Sequence, residues 1–420
     1  MHKDLKSLWL PYTQMKSLGS LNKAIKTKNS KIYLDNGTSL IDGVASWWTA
    51  CHGYNNLHIK KKMSEQLNIM PHIMFGGLIH DQAISLSKRL TSILNNKLEK
   101  VFFSDSGSVS VEIALKMSIQ YWLNKGYKNK NKFIFFKNGY HGDTSAAMAI
   151  CDPEEGMHSL FKGYLNKNFM LKIPDNKIDR NNFIKLLKKN KNRIAGIIIE
   201  PLVQGAGGMK FHSSSTLDFI YKVKKENDII LIYDEIATGF YRTGSMFAFQ
   251  QTKSIPDILC IGKALTGGFI SLAATIATKK IFNAFLSNKK NMEFMHGPTY
   301  MANPLACSAA NASLDLFKNK NYANIVKKIE KNLSDQLKIF ASFKFVKEIR
   351  VKGAIGVIEL FIITEKERIW LRKQFVKNGV WLRPLGNIVY FTPPLIISKK
   401  DLMYLTQTTY QIFKIWKKTL

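Results

Sequence analysis

Two short motifs carry the strongest chemical signal in the sequence. Asp234 closes the apolar run Ile229-Ile230-Leu231-Ile232-Tyr233, with Glu235 beside it. Lys263 follows a second run, Ile258-Leu259-Cys260-Ile261, and is flanked by Gly262 and by Gly267-Gly268. Acids at the C-terminal end of a parallel strand lie where open α/β sheets hold their ligands, although a helix-capping Asp explains that motif equally well on its own. One lysine among 54 is weak evidence. A lysine at a buried strand end is stronger, because desolvation lowers its pKa and frees the neutral amine that Schiff-base chemistry needs.

Three further segments offer chemistry. Phe102-Phe103-Ser104-Asp105-Ser106-Gly107-Ser108 reads as a strand, a turn and a helix start, whose free backbone N–H groups and Ser108 hydroxyl form a phosphate cradle. Most Ser-Gly turns before helices merely cap them, so this motif alone decides little. Tyr140, in Lys137-Asn138-Gly139-Tyr140-His141-Gly142-Asp143-Thr144, is placed to stack on a planar ligand or simply to pack on the core. The tandem Trp47-Trp48 has the same two readings. His52, His141 and His296 have no partners at metal-ligand spacing, so no metal site is expected.

The elements that must position these residues are legible as apolar runs ending in turn residues: Lys100 to Phe103, Phe133 to Phe136, Ile194 to Ile199, Ile229 to Tyr233 and Ile258 to Ile261, with helix-like segments between them. That alternation predicts an α/β fold with a mainly parallel sheet covered on both faces. After about Asn311 the pattern becomes a small α+β module. It comprises a Lys-rich helix, a strand at Ala354 to Phe361, a helix at Glu365 to Lys377, strands Val380 to Arg383 and Ile388 to Phe391 paired with each other, and a helix at Lys399 to Lys417.

Bulk properties narrow the function class. A chain of 420 residues with 45% hydrophobic and 22% charged content is that of an ordinary globular protein. Met1 to Lys6 lacks an apolar stretch after its charges, no run is long enough to span a bilayer, and four scattered cysteines form no disulfide framework, so a reducing cytoplasm is expected. The net charge of +32 raises the alternative of a nucleic-acid-binding protein. The lysines are spread along the chain instead of forming a stripe interleaved with aromatics. A compositional drift therefore accounts for them better, and neither a nucleic-acid nor a membrane partner is expected.

The joint occurrence of these motifs in this order resembles the class III aminotransferases of fold type I, over nearly the whole chain. The resemblance implies a large domain with a mainly parallel seven-stranded sheet (residues 51–310), and a small α+β domain built from the two chain ends (1–50 and 311–420). It implies pyridoxal 5'-phosphate as cofactor, with Lys263 as the Schiff-base lysine that also moves the proton, and Asp234 under the ring nitrogen. Tyr140 and Ile236 would lie on the two ring faces, and Gly107 and Ser108 would form the phosphate cup.

Within that family, five segments resemble the branch that makes 7,8-diaminononanoate for biotin synthesis: Leu10-Pro11-Tyr12-Thr13-Gln14-Met15, Ser46-Trp47-Trp48, Met74-Phe75-Gly76-Gly77, Met295-His296-Gly297-Pro298-Thr299-Tyr300-Met301 and Val380-Trp381-Leu382-Arg383-Pro384. The resemblance implies S-adenosylmethionine and 8-amino-7-oxononanoate as substrates of two half-reactions, with lysine left open as an alternative donor. It places Tyr12, Trp47, Trp48, Tyr140, Lys263, Gly297 and Arg383 at the substrate. It also implies a homodimer in which Pro298 and Thr299 reach the cofactor phosphate of the partner subunit. Arg383 suits a substrate carboxylate, and the Trp pair offers apolar walls and a cation–π surface for a sulfonium. The rival within the family is an ω-amino-acid aminotransferase; Ala206, where such relatives usually carry a Glu, argues against it. Tyr233, Tyr241 and Leu395 depart from the family pattern and put the pocket's shape in question.

Overall fold

In the computed structural model, residues 7–17, 21–154 and 158–419 are described; the Met1 to Lys6 segment lies outside them. The chain opens with an antiparallel meander, β1 (Ala24–Lys28), β2 (Lys31–Leu34) and β3 (Ser39–Asp42). The central strands are β4 (Lys100–Ser104), β5 (Lys132–Phe136), β6 (Phe169–Leu171) and β7 (Ile194–Ile199). A short hairpin follows, β8 (Val203–Gln204) and β9 (Lys210–Phe211), then β10 (Ile230–Asp234), β11 (Ile258–Ile261) and β12 (Ala273–Ala277). The last strands are β13 (Val346–Lys352), β14 (Ile355–Leu360), β15 (Val380–Trp381) and β16 (Ile388–Phe391).

Seven strands make the large sheet in the order β4-β12-β11-β10-β7-β5-β6. The pairs from β11 through β10, β7 and β5 to β6 are parallel, and β12 alone runs antiparallel to both its neighbours. Every residue of β7, β10, β11 and β12 is buried, since a sheet covered on both faces hides both sides of each strand, and β7, β10 and β11 accordingly read as apolar runs. Helices α1 (Gly107–Asn124) and α2 (Ser214–Asn227) are capped by Ser106 and Ser213, each accepting the N–H three residues on. Helix α3 (Pro304–Asn319) starts with Pro at its first position under an Asn303 cap and continues through residue 310.

The end of the chain departs from one expectation. Helices α4 (Glu365–Lys377) and α5 (Lys399–Thr419) lie where they were expected. The strands near 380 and 390 do not form a ladder with each other. β15 joins β3 in parallel, whereas β16 joins β14, and only a single bridge, Leu385 to Ile388, links the two. Hairpin logic misled here because both strands had stronger partners elsewhere: Val380 and Trp381 extend the N-terminal meander into a four-stranded sheet. That crossover is what fastens the two chain ends together.

Candidate active site

Lys263 stands directly after β11 with a left-handed backbone, φ +42°, at the first position of a 3₁₀ turn. Holding a non-glycine residue there costs about 1–2 kcal/mol, the kind of strain that persists where packing over-determines the backbone. Burial pushes its amine below the ordinary lysine value, against the opposing pull of Asp234, Glu200 and Asp143. Among the described residues the amine has no carboxylate within ion-pairing distance; its nearest ring is Trp48, with the centroid 4.9 Å from Nζ.

The two acids ending β10 separate by strand alternation. Asp234 turns toward the ligand side, where Oδ2 lies 2.7 Å from His141 Nδ1 and Oδ1 accepts the Ile236 N–H at 3.1 Å. Glu235 turns to the other face and accepts the N–H groups of Ala248 and Phe249 at 2.7 and 2.8 Å, closing the turn after the strand. A third buried acid, Glu200, holds Tyr140 N–H at 3.0 Å and Gly205 N–H at 2.7 Å. Burial pushes the Glu200 carboxyl up to about 7.

At the start of α1, Gly107 and Ser108 present the free N–H groups of a helix terminus. The Ser108 hydroxyl is not free to join them fully: it lies 2.7 Å from Thr144 Oγ1 and accepts the Thr144 N–H at 3.0 Å. Thr144, which the sequence motif did not single out, is thus joined to Ser108 at the helix start. Gly142 makes the junction feasible. Its φ is +127°, and a Cβ there would lie 2.3 Å from Ser108 Oγ. Ile236 packs against Gly107 and faces Gly262, so an apolar wall runs from the cradle toward Lys263. These residues fit pyridoxal phosphate. The helix terminus suits its phosphate, Ile236 one ring face, Asp234 the ring nitrogen and Lys263 the aldehyde carbon.

Beyond Lys263 the expected substrate residues converge. Ala45, Ser46, Trp47 and Trp48 all have positive φ, from +46° to +74°, and form one turn of left-handed helix. Trp48 is buried and lies so close to Gly205 that a Cβ there would be 2.5 Å from the indole. Trp47 is 46% exposed, meets Tyr12 edge-on at 6.4 Å, and has the Arg383 guanidinium 5.1 Å from its ring. Arg383 is half-buried and faces no carboxylate among the described residues; burial pushes its pKa down. Asp143 ties the rim together by accepting from the Tyr12 hydroxyl and from the Tyr140 hydroxyl, the latter at 2.9 Å. Tyr140 also stacks on His158, with centroids 6.0 Å apart.

Not every expected residue joins this cluster. Gly297, Pro298 and Thr299 line a separate groove of ≈ 820 Å³ with His72, Met74 and Phe75. Tyr233 points away into the core, where its hydroxyl pairs with Ser254, and Tyr241 packs on Phe317 and Tyr322. Leu395 is buried, its N–H donated to Cys51 O at 2.8 Å. His141 and Asp143, by contrast, are site residues that spacing could not reveal, since their partners Asp234 and Tyr12 lie 93 and 131 positions away. Among the described residues no group of three His, Cys, Asp or Glu side chains is placed to hold a metal ion, and no helix is long and apolar enough to cross a membrane.

Residues 16–413 match the family described as Aminotransferase class-III. The chain is 45% identical over 402 residues, 94% of its length and 92% of the relative's, to the adenosylmethionine-8-amino-7-oxononanoate aminotransferase of Buchnera aphidicola subsp. Schizaphis graminum (strain Sg). It is 40% identical over 404 residues to the protein of that name from Corynebacterium glutamicum, with 95% and 94% of the two chains covered. Among solved structures, the adenosylmethionine-8-amino-7-oxononanoate aminotransferase of Methanocaldococcus jannaschii DSM 2661 superposes with a TM-score of 0.93 at 33% identity, covering 98% of this chain and 97% of that one. An amine transaminase from an uncultivated Pseudomonas species, in a PLP-bound form, gives 0.91 at 27% identity, covering 97% and 98%.

Proposed function

The chain belongs to the class III aminotransferases, and on that premise we propose that it aminates 8-amino-7-oxononanoate to 7,8-diaminononanoate, with S-adenosylmethionine as donor, in the biotin pathway. Pyridoxal 5'-phosphate is the cofactor. The observation that carries the substrate assignment is the single wall formed by Arg383 over Trp47 at 5.1 Å and Trp48 beside Lys263 Nζ at 4.9 Å. Both substrates end in a carboxylate and have a long body. A half-buried guanidinium without a carboxylate partner binds the first, and the two indoles offer apolar surface to the second.

When bound, the cofactor supplies an electron sink that makes the substrate Cα–H acidic. The remaining work falls to the protein. Burial keeps the Lys263 amine available as a base, and its place at the strand end lets Nζ take a proton from one carbon and return it to a neighbouring one. Asp234, oriented by His141 and by the Ile236 N–H, is the fixed anion that holds a proton on a heterocyclic nitrogen. Tyr12, Tyr140 and Asp143 close the rim over the reacting atoms and exclude water.

We propose a homodimer with shared sites. Thr299 and Pro298, remote from Lys263 in their own subunit, reach the phosphate bound in the other one. The exposed Met74, Met295 and Tyr300 around that groove are the apolar surface the dimer would cover. We place the protein in the cytoplasm, where its four buried, unpaired cysteines stay reduced. We place the second domain boundary near residue 320 instead of 310, because α3 runs unbroken from Pro304 to Asn319.

The test is turnover of the purified holoenzyme with both substrates, followed by mass spectrometry. Formation of 7,8-diaminononanoate that depends on S-adenosylmethionine is expected. Use of simple ω-amino acids as amino donors to a keto acid, with no reaction of 8-amino-7-oxononanoate, would overturn the assignment in favour of an ω-amino-acid aminotransferase.

A further inference from the structure

We propose that Asp42 is a positioning residue for the substrate wall, winding the left-handed turn that presents Trp47 and Trp48 and anchoring the strand that delivers Arg383. The proposal rests on the function read above and names a residue that was not placed at the substrate or the cofactor.

Asp42 is the last residue of β3 and is fully buried. Its Oδ1 accepts the N–H groups of Val44 and Ala45 at 2.8 and 3.0 Å, and its Oδ2 accepts that of Ser46 at 3.2 Å. The Tyr54 hydroxyl donates to Oδ2 at 2.6 Å and lies 2.6 Å from Ser46 Oγ. One carboxylate thus gathers the first N–H groups of a turn whose next residues, Ala45 to Trp48, all have positive φ although none is glycine. Such a turn does not form by propensity; it needs an acceptor inside its first ring to hold it.

The same residue reaches Arg383 through the backbone. Asp42 pairs in register with Trp381 on β15, and the Gly43 N–H donates to Trp381 O at 3.0 Å. Gly43 permits this approach, since a Cβ there would lie 2.4 Å from the Leu382 side chain. The Thr392 N–H closes the junction on Gly43 O at 2.7 Å. The indole pair and the guanidinium therefore leave one junction, from its two strands, and Trp47 meets Arg383 again at 5.1 Å.

The experiment compares wild type with Asp42→Asn, which keeps the volume and an acceptor oxygen but loses the charge and places an amide where a donor must be received. Expected is a KM for 8-amino-7-oxononanoate raised about tenfold or more, with cofactor content unchanged and kcat within about threefold. Adding Ser46→Gly, which accepts left-handed backbone without strain, is expected to recover part of that KM. An unchanged KM, or a loss confined to kcat and cofactor content with no recovery by Ser46→Gly, would overturn the proposal. If Asp42→Asn does not fold, Tyr54→Phe removes one donor to the same carboxylate; a KM rise of about threefold is expected, and no rise overturns it. A wild-type enzyme inactive on 8-amino-7-oxononanoate would instead sink the assigned function, so the two failures are distinguishable.

Discussion

Strand alternation gives Asp234 and Glu235, adjacent in sequence, opposite tasks. The first faces the ligand side through His141 and the second caps a turn behind the sheet. The same alternation explains Tyr233, which departs from the small residue expected before the acid. It faces the core, and its hydroxyl finds Ser254, so the departure leaves the pocket untouched. Tyr233→Phe is therefore expected to lower stability by about 1 kcal/mol, read from the denaturant midpoint, with kcat and KM unchanged. A changed KM would show that the side chain reaches the pocket after all. The strand-end positions of Lys263 and Asp234 were legible because strand ends are marked by where apolar runs stop. His141 and Asp143 were not, because nothing local encodes a partner 93 or 131 positions away.

Among the elements, the strands buried on both faces announced themselves, and β12 did not. Its Ala-Ala-Thr-Ile-Ala sequence has neither the β-branched density nor the flanking turn signals of its neighbours, although all five residues are buried. The ladder from β15 to β3 was equally hidden, since pairing between chain ends leaves no periodic trace. The proposed phosphate cradle depends on two loops meeting, α1's first turn and the segment around Gly142. Gly142→Ala would place a Cβ 2.3 Å from Ser108 Oγ at a φ of +127°. It is expected to weaken cofactor affinity by roughly tenfold or more, as a strain of about 1–3 kcal/mol in that junction implies, while leaving the far-ultraviolet circular dichroism unchanged. Titration of the apoprotein with pyridoxal phosphate measures this; unaltered affinity would remove Ser108 and Thr144 from the cradle.

Over the whole molecule, an ionic cluster around the buried Glu359 and Arg350 joins the β8–β9 hairpin to the C-terminal sheet. Glu359 on β14 meets Lys210 at 2.6 Å, Lys347 at 3.0 Å and Arg350, while Arg350 donates to Met209 O at 3.2 Å. Burial alone would raise the Glu359 carboxyl, but hydrogen bonds from Lys210, Arg350 and Lys347 pull it down to about 2 from an ordinary 4.5. With the folded value lowered, its contribution to stability is complete above pH 4.5 and is lost as pH falls toward 2. Glu359→Gln is expected to cost about 1–3 kcal/mol at neutral pH, because the cations lose their shared acceptor while Arg350 keeps Glu348 at 2.5 Å, with the difference from wild type shrinking below pH 4.5. Unfolding midpoints measured from pH 7 downward test this, and a cost independent of pH would contradict it. The +32 charge makes such anionic anchors valuable, since like charges elsewhere oppose compaction.

All three scales converge on Lys263. The direct test is Lys263→Ala assayed beside wild type for the cofactor's visible absorbance on adding S-adenosylmethionine, and for steady-state formation of 7,8-diaminononanoate. Wild type is expected to change its absorbance with the donor alone and to turn over, while the variant holds cofactor without the lysine-dependent band and loses turnover by about 10⁴-fold. Turnover retained in Lys263→Ala would contradict the account.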